Sequence, residues 1–368
     1  MSFAILGLGT AVPPASITQV EATQIARAVC CRTKEQETWL PLMYDHTGIR
    51  SRHLSFGQPV IDDILHGTTF SQSIFLPTGR DDDHGPTTAQ RMDRYVADAS
   101  PLALHAAWQA LHQSSLTAAD ISHLVTVSCT GFHAPGVDYE LIHELGMAPT
   151  VQRTHVGFMG CHGALNGLRV ARAFADSEPD ARVLVCAVEL CALHYHYGWD
   201  PQRIIANAIF ADGAAAVIGV HDTLAPSGAW RVSATGSCLL PDSRQAMSWT
   251  IGDHGFEMTL SKRVPGLIRE HLRPWLQSWL ERRRLSIETV GSWAIHPGGP
   301  RILDATAESL GLGEDKLAAA REVFATHGNM SSPTVLFIVN QLRHQRAPLP
   351  CVALGFGPGL VAEAVLFE

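Results

Sequence analysis

The chain has 368 residues, 46% of them hydrophobic and 17% charged, with a formal net charge of −8 and a sequence pI near 6.2. That apolar share fills one large core or two fused ones, and excludes a disordered or fibrous chain. The acidic balance lacks the clustered basic excess that phosphate backbones demand, so the expected partners are small molecules or protein, with no nucleic acid.

Residues 3–12 (FAILGLGTAV) read as a buried strand and turn; no Lys or Arg precedes them and the first basic residue is Arg27, which argues against a secretory signal. GLGT at 7–10 lacks the third glycine of a dinucleotide fingerprint, Val12 standing in its place, and reads as a turn. The polar segment 55–94, with Asp81-Asp82-Asp83-His84, reads as a solvated loop in preference to a metal site. Apolar runs at 123–129, 182–189, 214–220, 292–299 and 351–357 suit strands buried on both faces. Helical patterns fall between them at 100–114, opened by Ser100 with Pro101 in the first turn, and at 161–177, 260–284, 301–311 and 332–344. This alternation predicts α/β layers. A shift in composition at 221–230 (HDTLAPSGAW) divides the chain into halves, 1–220 and 221–368. No apolar run reaches the roughly 18 residues of a membrane helix, and the protein is expected to be cytoplasmic, with no membrane span.

Cysteines stand at 30, 31, 129, 161, 186, 191, 238 and 351, without a CxxC pair, so they read as free thiols and not as a zinc or disulfide framework. Most are core residues. Cys161 stands apart, because VGFMGCHGALNGLRVARAFAD places it after a glycine turn at the start of a helix whose buried stripe is Ala164, Leu168, Ala171 and Ala175. Unpaired N–H groups at a helix start favour an anion, so the thiol pKa is expected to fall. His296 follows a buried strand in AIHPGG, and Asn329 lies in THGNMSSP at the mouth of a helix. Singly, each has a structural reading, as an internally bonded His and a helix-capping Asn. Together the three types fit acyl transfer from a thioester: a thiol accepts the acyl group, the imidazole supports the thiolate as an ion pair, and His and Asn N–H groups hold an enolate. A decarboxylating condensation needs no strong base, because loss of CO₂ leaves the carbanion behind.

The order Cys-His-Asn and the separation 296 − 161 = 135 also occur in papain-like hydrolases, although the C-G-[SA]-C-[WY] context is missing. His194 and His196 flank Tyr195 at strand-like spacing but lack a third ligand, so no metal is expected.

At these residues the sequence resembles the type III polyketide synthases, the chalcone and stilbene synthase family. The resemblance runs end to end through GCHGALNGLRVA around Cys161, IFADGAAA at 209–216, LPDS at 240–243, IHPGGPRILD at 295–304, HGNMSS at 327–332 and GFGPGL at 355–360. It implies a thiolase-like α/β fold of two αβαβα halves with layered mixed sheets, usually a homodimer, using acyl-CoA and malonyl-CoA without a further cofactor. It also implies that Cys161 carries the chain while His296 and Asn329 bind and activate the malonyl thioester. Phe210 matches a gatekeeper phenylalanine, Met258 stands where a second one is usual, and Ser331 and Pro358 fall at cavity positions. Trp249 replaces a cavity glycine and His194 a cavity threonine, which narrows a chalcone-sized pocket. Thr130, Ala134 and Cys191 match small residues that open an acyl tunnel in long-chain relatives. A fatty acyl starter extended to an alkylpyrone or alkylresorcinol is therefore expected. Of the cations that would grip CoA, Arg50, Arg52 and Arg301 remain while Pro41 and His46 replace two others; delivery from a carrier protein is the alternative. A single condensation of the ketoacyl synthase III kind and a Cys-His-Asn thioester hydrolase are the competing readings.

Overall fold

A computed structural model describes residues 3–368. Nine strands form one mixed sheet in the order 292–295, 351–357, 361–367, 231–239, 3–11, 212–221, 182–190, 123–128 and 152–157. The pairing repeats in each half. Phe3–Ala11 runs antiparallel to Asp212–His221, which is antiparallel to Arg182–Leu190, which is parallel to His123–Ser128. Likewise Arg231–Leu239 runs antiparallel to Val361–Phe367, which is antiparallel to Cys351–Gly357, which is parallel to Ser292–Ile295. With helices packed on the sheet this is the thiolase-like α/β fold. The internal repeat lives in strand order and direction, which is why the residues themselves do not display it. Phe3 opposite Val232 and Ala4 opposite Arg231 join the two halves into a single sheet.

Strands at the centre are buried on both faces, as their continuous apolar runs require: Asp212–His221 is buried at every position. Phe3–Ala11 is strand throughout, so GLGT is not the expected turn. Its glycines serve close packing, since a Cβ on Gly7 or Gly9 would overlap the carbonyls of Ala110 and Ala106 on the helix above. That helix spans Thr88–Gln113 and not 100–114. It begins where Thr87 and Gln90 form a capping box, and Pro101 lies in its interior. An interior proline costs about 3 kcal/mol; here the buried row Ala99, Ala103, Ala106, Ala107 and Ala110 secures the helix to the sheet. Within the expected loop at 55–94, Gln58–His66 is also helical, and Asp83 accepts the Thr78 and Gly85 N–H groups, closing a turn. His194 ends a short 3-10 turn, Cys191–His194, not a strand.

A separate two-stranded sheet, Met247–Gly252 with Gly255–Leu260, lies outside the main one. Among the described residues no helix is long and apolar enough to cross a membrane.

Candidate active site

Cys161 is built by a sharp reversal. After strand Gln152–Gly157 the chain takes left-handed φ at Phe158 (57°) and Gly160 (70°), then a 3-10 turn Gly160–His162, then helix Gly163–Ser177. Gly160 has little choice, because a Cβ there would overlap Pro358 of the GFGPGL turn. Phe158 has no such freedom, and a non-glycine residue held at positive φ marks stored strain near a site. The stripe Ala164, Leu168, Ala171 and Ala175 is buried as expected.

Asn329 is held by its backbone against the other half. Its N–H donates to the Ile209 carbonyl (2.8 Å), and its carbonyl accepts from Ala211 N–H (2.9 Å), so Phe210 is fixed alongside. It does not cap a helix. The next helix starts at Thr334, whose hydroxyl accepts from Met330 N–H at 2.9 Å. Ser331, at φ 57°, donates its N–H to Asn329 Oδ1 at 2.8 Å. This orients the amide, turning Nδ2 the other way. Nδ2 is buried without a hydrogen-bond partner among the described residues, yet the amide lies near enough to Cys161 to favour its thiolate.

His296 follows strand Ser292–Ile295, its N–H donating to Leu354 O at 2.8 Å. Both ring nitrogens are buried and unpartnered. Its ionisable neighbour is His162, the residue after Cys161, itself held toward the neutral form by burial. Leaving a buried polar group unpaired costs about 1–3 kcal/mol. Two ring nitrogens on His296 and one amide nitrogen on Asn329, left so beside His162 and Cys161, offer hydrogen-bond partners to something that binds there.

Glu189 was not singled out from sequence. It is fully buried and accepts hydrogen bonds from Cys129 N–H (2.9 Å), Thr130 Oγ1 (2.6 Å) and Ser332 Oγ (2.6 Å). Burial raises its pKa against these bonds. A lone Glu in the apolar run RVLVCAVE was the available signal. The network fixes Cys129 beside the thiol and Ser332 next to Ser331, with the Cys129 and Ser331 side chains 3.4 Å apart.

The thiol itself departs from expectation. Cys161 touches solvent only partly, and burial pushes its thiol up to about 11, with Glu189 adding to the rise; the Ser331 hydroxyl, the Asn329 amide and its own N–H pull the other way and lose. Burial also pushes His296 down to about 3. Burial thus favours the neutral thiol and the neutral imidazole, against the pull of the helix start. Since the thiolate fraction rises tenfold per pH unit below the pKa, alkylation of Cys161 by iodoacetamide should accelerate about tenfold per unit from pH 7 to pH 10. A rate already level at pH 7 would mean a resting ion pair.

One cavity reaches the thiol and a second adjoins it. The inner chamber, about 30 Å³, is lined by Cys129, Thr130, Cys161, Trp249, Ser331 and Pro358. An outer pocket of about 450 Å³ reaches from Ile17, Ile25 and Leu54 to His194, His254 and Arg203. Cys191, Phe210, Trp249 and Met258 line both. The inner volume matches one water's share of the liquid, whereas the outer lies in the range of ligand pockets.

Two expectations fail here. Ala134 is exposed and borders a different groove. The Tyr95 ring packs on Gly131 so closely that a Cβ would overlap it, and beyond that point the chain has left the chamber. Arg52 is 1% exposed and donates to the Asn207 and Phe210 carbonyls at 2.6 and 2.8 Å, so it braces the gate and is not free for a phosphate. His194 lines the outer pocket, but both its ring nitrogens are bonded to backbone. Arg50 is exposed and paired with Glu322, and Arg301 is exposed at the start of helix Pro300–Leu310.

The profile of chalcone and stilbene synthases, N-terminal domain, matches residues 2–222, and that of their C-terminal domain matches residues 231–368. The chain is 35% identical to the alpha-pyrone synthesis polyketide synthase-like Pks18 of Mycobacterium tuberculosis, across 77% of this chain and 74% of that one. It is 32% identical to 1,3,6,8-tetrahydroxynaphthalene synthase of Streptomyces peucetius, across 99% and 92%. The crystal structure of PKS-I from the brown alga Ectocarpus siliculosus superposes with a TM-score of 0.90 at 30% identity, covering 100% of this chain and 98% of that one.

Proposed function

Because the chain belongs to the chalcone and stilbene synthase family, and is thus a type III polyketide synthase and an acyltransferase, we propose that it extends a fatty acyl starter held on Cys161 with malonyl-CoA. The product class is an alkylpyrone or alkylresorcinol. The single observation behind this reading is the pair of cavities. An inner chamber of about 30 Å³ cannot seat an aromatic starter and its growing chain, while the adjoining 450 Å³ gives an extended alkyl chain room across Cys191, Trp249 and Met258. Similarity to a protein named for alpha-pyrone synthesis supports the same class.

In the first step the Cys161 sulfur attacks the acyl thioester carbonyl; its proton passes to His296 and the CoA thiolate leaves. Malonyl-CoA then loses CO₂, and the electron pair stays on the thioester as an enolate. Asn329 Nδ2 and the His296 N–H donate to its oxygen. The enolate carbon attacks the acyl-Cys161 carbonyl, the C–S bond breaks, and the lengthened thioester leaves on CoA. Phe210 and Met258 form an apolar collar that strips water from the malonyl carboxylate and favours CO₂ loss.

Turnover across starters tests the reading. We expect kcat/KM for C12 to C16 acyl-CoAs to exceed that for aromatic acyl-CoAs by at least about tenfold, the discrimination that a few methylenes in an apolar pocket provide. Activity with malonyl-CoA alone, or a preference for aromatic starters, would overturn it.

A further inference from the structure

The wall between the two cavities is one face of the small hairpin. Trp249 and Met258 are directly paired across its strands, and both line both cavities. A two-stranded sheet is marginal by itself, so its position depends on what ties it down. His194 is one tie: Phe256 N–H donates to its Nδ1 at 2.9 Å, and its Nε2–H donates to Thr130 O at 2.6 Å. The imidazole also stacks on the Phe256 ring, with centroids 4.1 Å apart and planes 12° from parallel. The second tie is the Trp249 indole N–H to Cys129 O at 2.6 Å. Both therefore fasten the hairpin to residues 129 and 130, beside the thiol. At the hairpin tip Thr88 N–H donates to Asp253 O at 2.8 Å, and Gly255 N–H donates to Thr88 Oγ1 at 2.9 Å. Behind His194, the buried Arg91 guanidinium donates to the carbonyls of Leu193 and Tyr195 on either side of it. With both nitrogens committed, His194 is a cross-link and not a substrate ligand.

We infer that His194 is a positioning residue that sets the starter-length limit, by pinning the hairpin whose Trp249 and Met258 partition the inner chamber from the outer pocket. The inference rests on the acyl-starter reading, and it separates pinning from mere cavity filling. His194→Phe removes both hydrogen bonds without making the side chain smaller. Thr88→Val loosens the tip from outside both cavities.

Hydrogen–deuterium exchange of residues 247–260, together with kcat/KM for C6 to C18 acyl-CoAs, tests it in the full-length protein. Both variants are expected to raise hairpin exchange at least tenfold over wild type. Both should also raise the C18-to-C6 ratio of kcat/KM at least fivefold, and Thr88→Val should keep wild-type malonyl-CoA decarboxylation. Unchanged hairpin exchange in His194→Phe overturns the cross-link. Faster exchange with an unchanged length ratio, or an equal loss for every starter, overturns the role in specificity. A wild-type enzyme inactive on all acyl-CoAs, with hairpin exchange still faster in the variants, refutes the proposed function and leaves the cross-link standing.

Discussion

Replacing Cys161 with alanine is expected to abolish acyl transfer while malonyl-CoA decarboxylation persists at a measurable rate. The two steps use different atoms. Acyl transfer needs the sulfur, and removing an enzyme's nucleophile costs on the order of 10⁴- to 10⁶-fold. Decarboxylation needs hydrogen-bond donors at the thioester oxygen. In the proposed mechanism these are the Asn329 amide, whose Oδ1 is engaged by Ser331 N–H so that Nδ2 stays free, and His296, with neither nitrogen occupied. Intact-protein mass spectrometry after incubation with an acyl-CoA should show an adduct in the wild type and none in Cys161→Ala, while labelled malonyl-CoA should still release CO₂. Equal loss of both activities would contradict this division of labour.

The mirror-image result is expected for Asn329→Ala. Loss of one preorganised donor to a developing oxyanion costs on the order of 10²- to 10³-fold, so decarboxylation and extension should fall by that factor. Acylation of Cys161 should fall only a few-fold, because the amide is one of several weaker influences on a thiol governed by burial. Single-turnover measurement of adduct formation beside CO₂ release distinguishes the outcomes. A loss of acylation as large as that of decarboxylation would mean that Asn329 acts chiefly on the sulfur.

The residues assigned these roles were legible in the sequence because each stands in a break in regular structure. The glycine at 160, the Pro-Gly-Gly after His296 and the Ser331-Ser332 pair after Asn329 announce backbone that neither helix nor strand period explains. Central strands were equally open, since burial on both faces writes a continuous apolar run. Other features depend on contacts between distant segments. GLGT carries turn-like composition, yet its glycines answer to Ala106 and Ala110, about a hundred residues away. The start of helix Thr88–Gln113 was hidden because Pro101 is a stronger first-turn signal than the Thr87 and Gln90 capping box. Glu189 reads as a strand residue until Thr130 and Ser332 arrive around it. Burial opposes the expected fall in the Cys161 thiol pKa, and a helix start is visible in a sequence whereas the depth of its burial is not. Ala134 and Arg52 illustrate the same gap: matching positions do not reveal whether a side chain faces the chamber, the solvent or its own backbone.

One sheet runs unbroken from the half that carries Cys161 to the half that carries His296 and Asn329, joined through the Phe3–Val232 and Ala4–Arg231 pairs. Strand Gln152–Gly157, which leads to Cys161, and strand Ser292–Ile295, which leads to His296, belong to that one sheet, so we expect the catalytic geometry to be inherited from folding and not assembled anew in each cycle. Substrates of different bulk must then be accommodated by the gate and the hairpin while the reacting atoms keep their spacing. If the proposed roles hold, the frame carries the chemistry and the small appended sheet carries the choice of substrate, which leaves evolution free to retune one without disturbing the other.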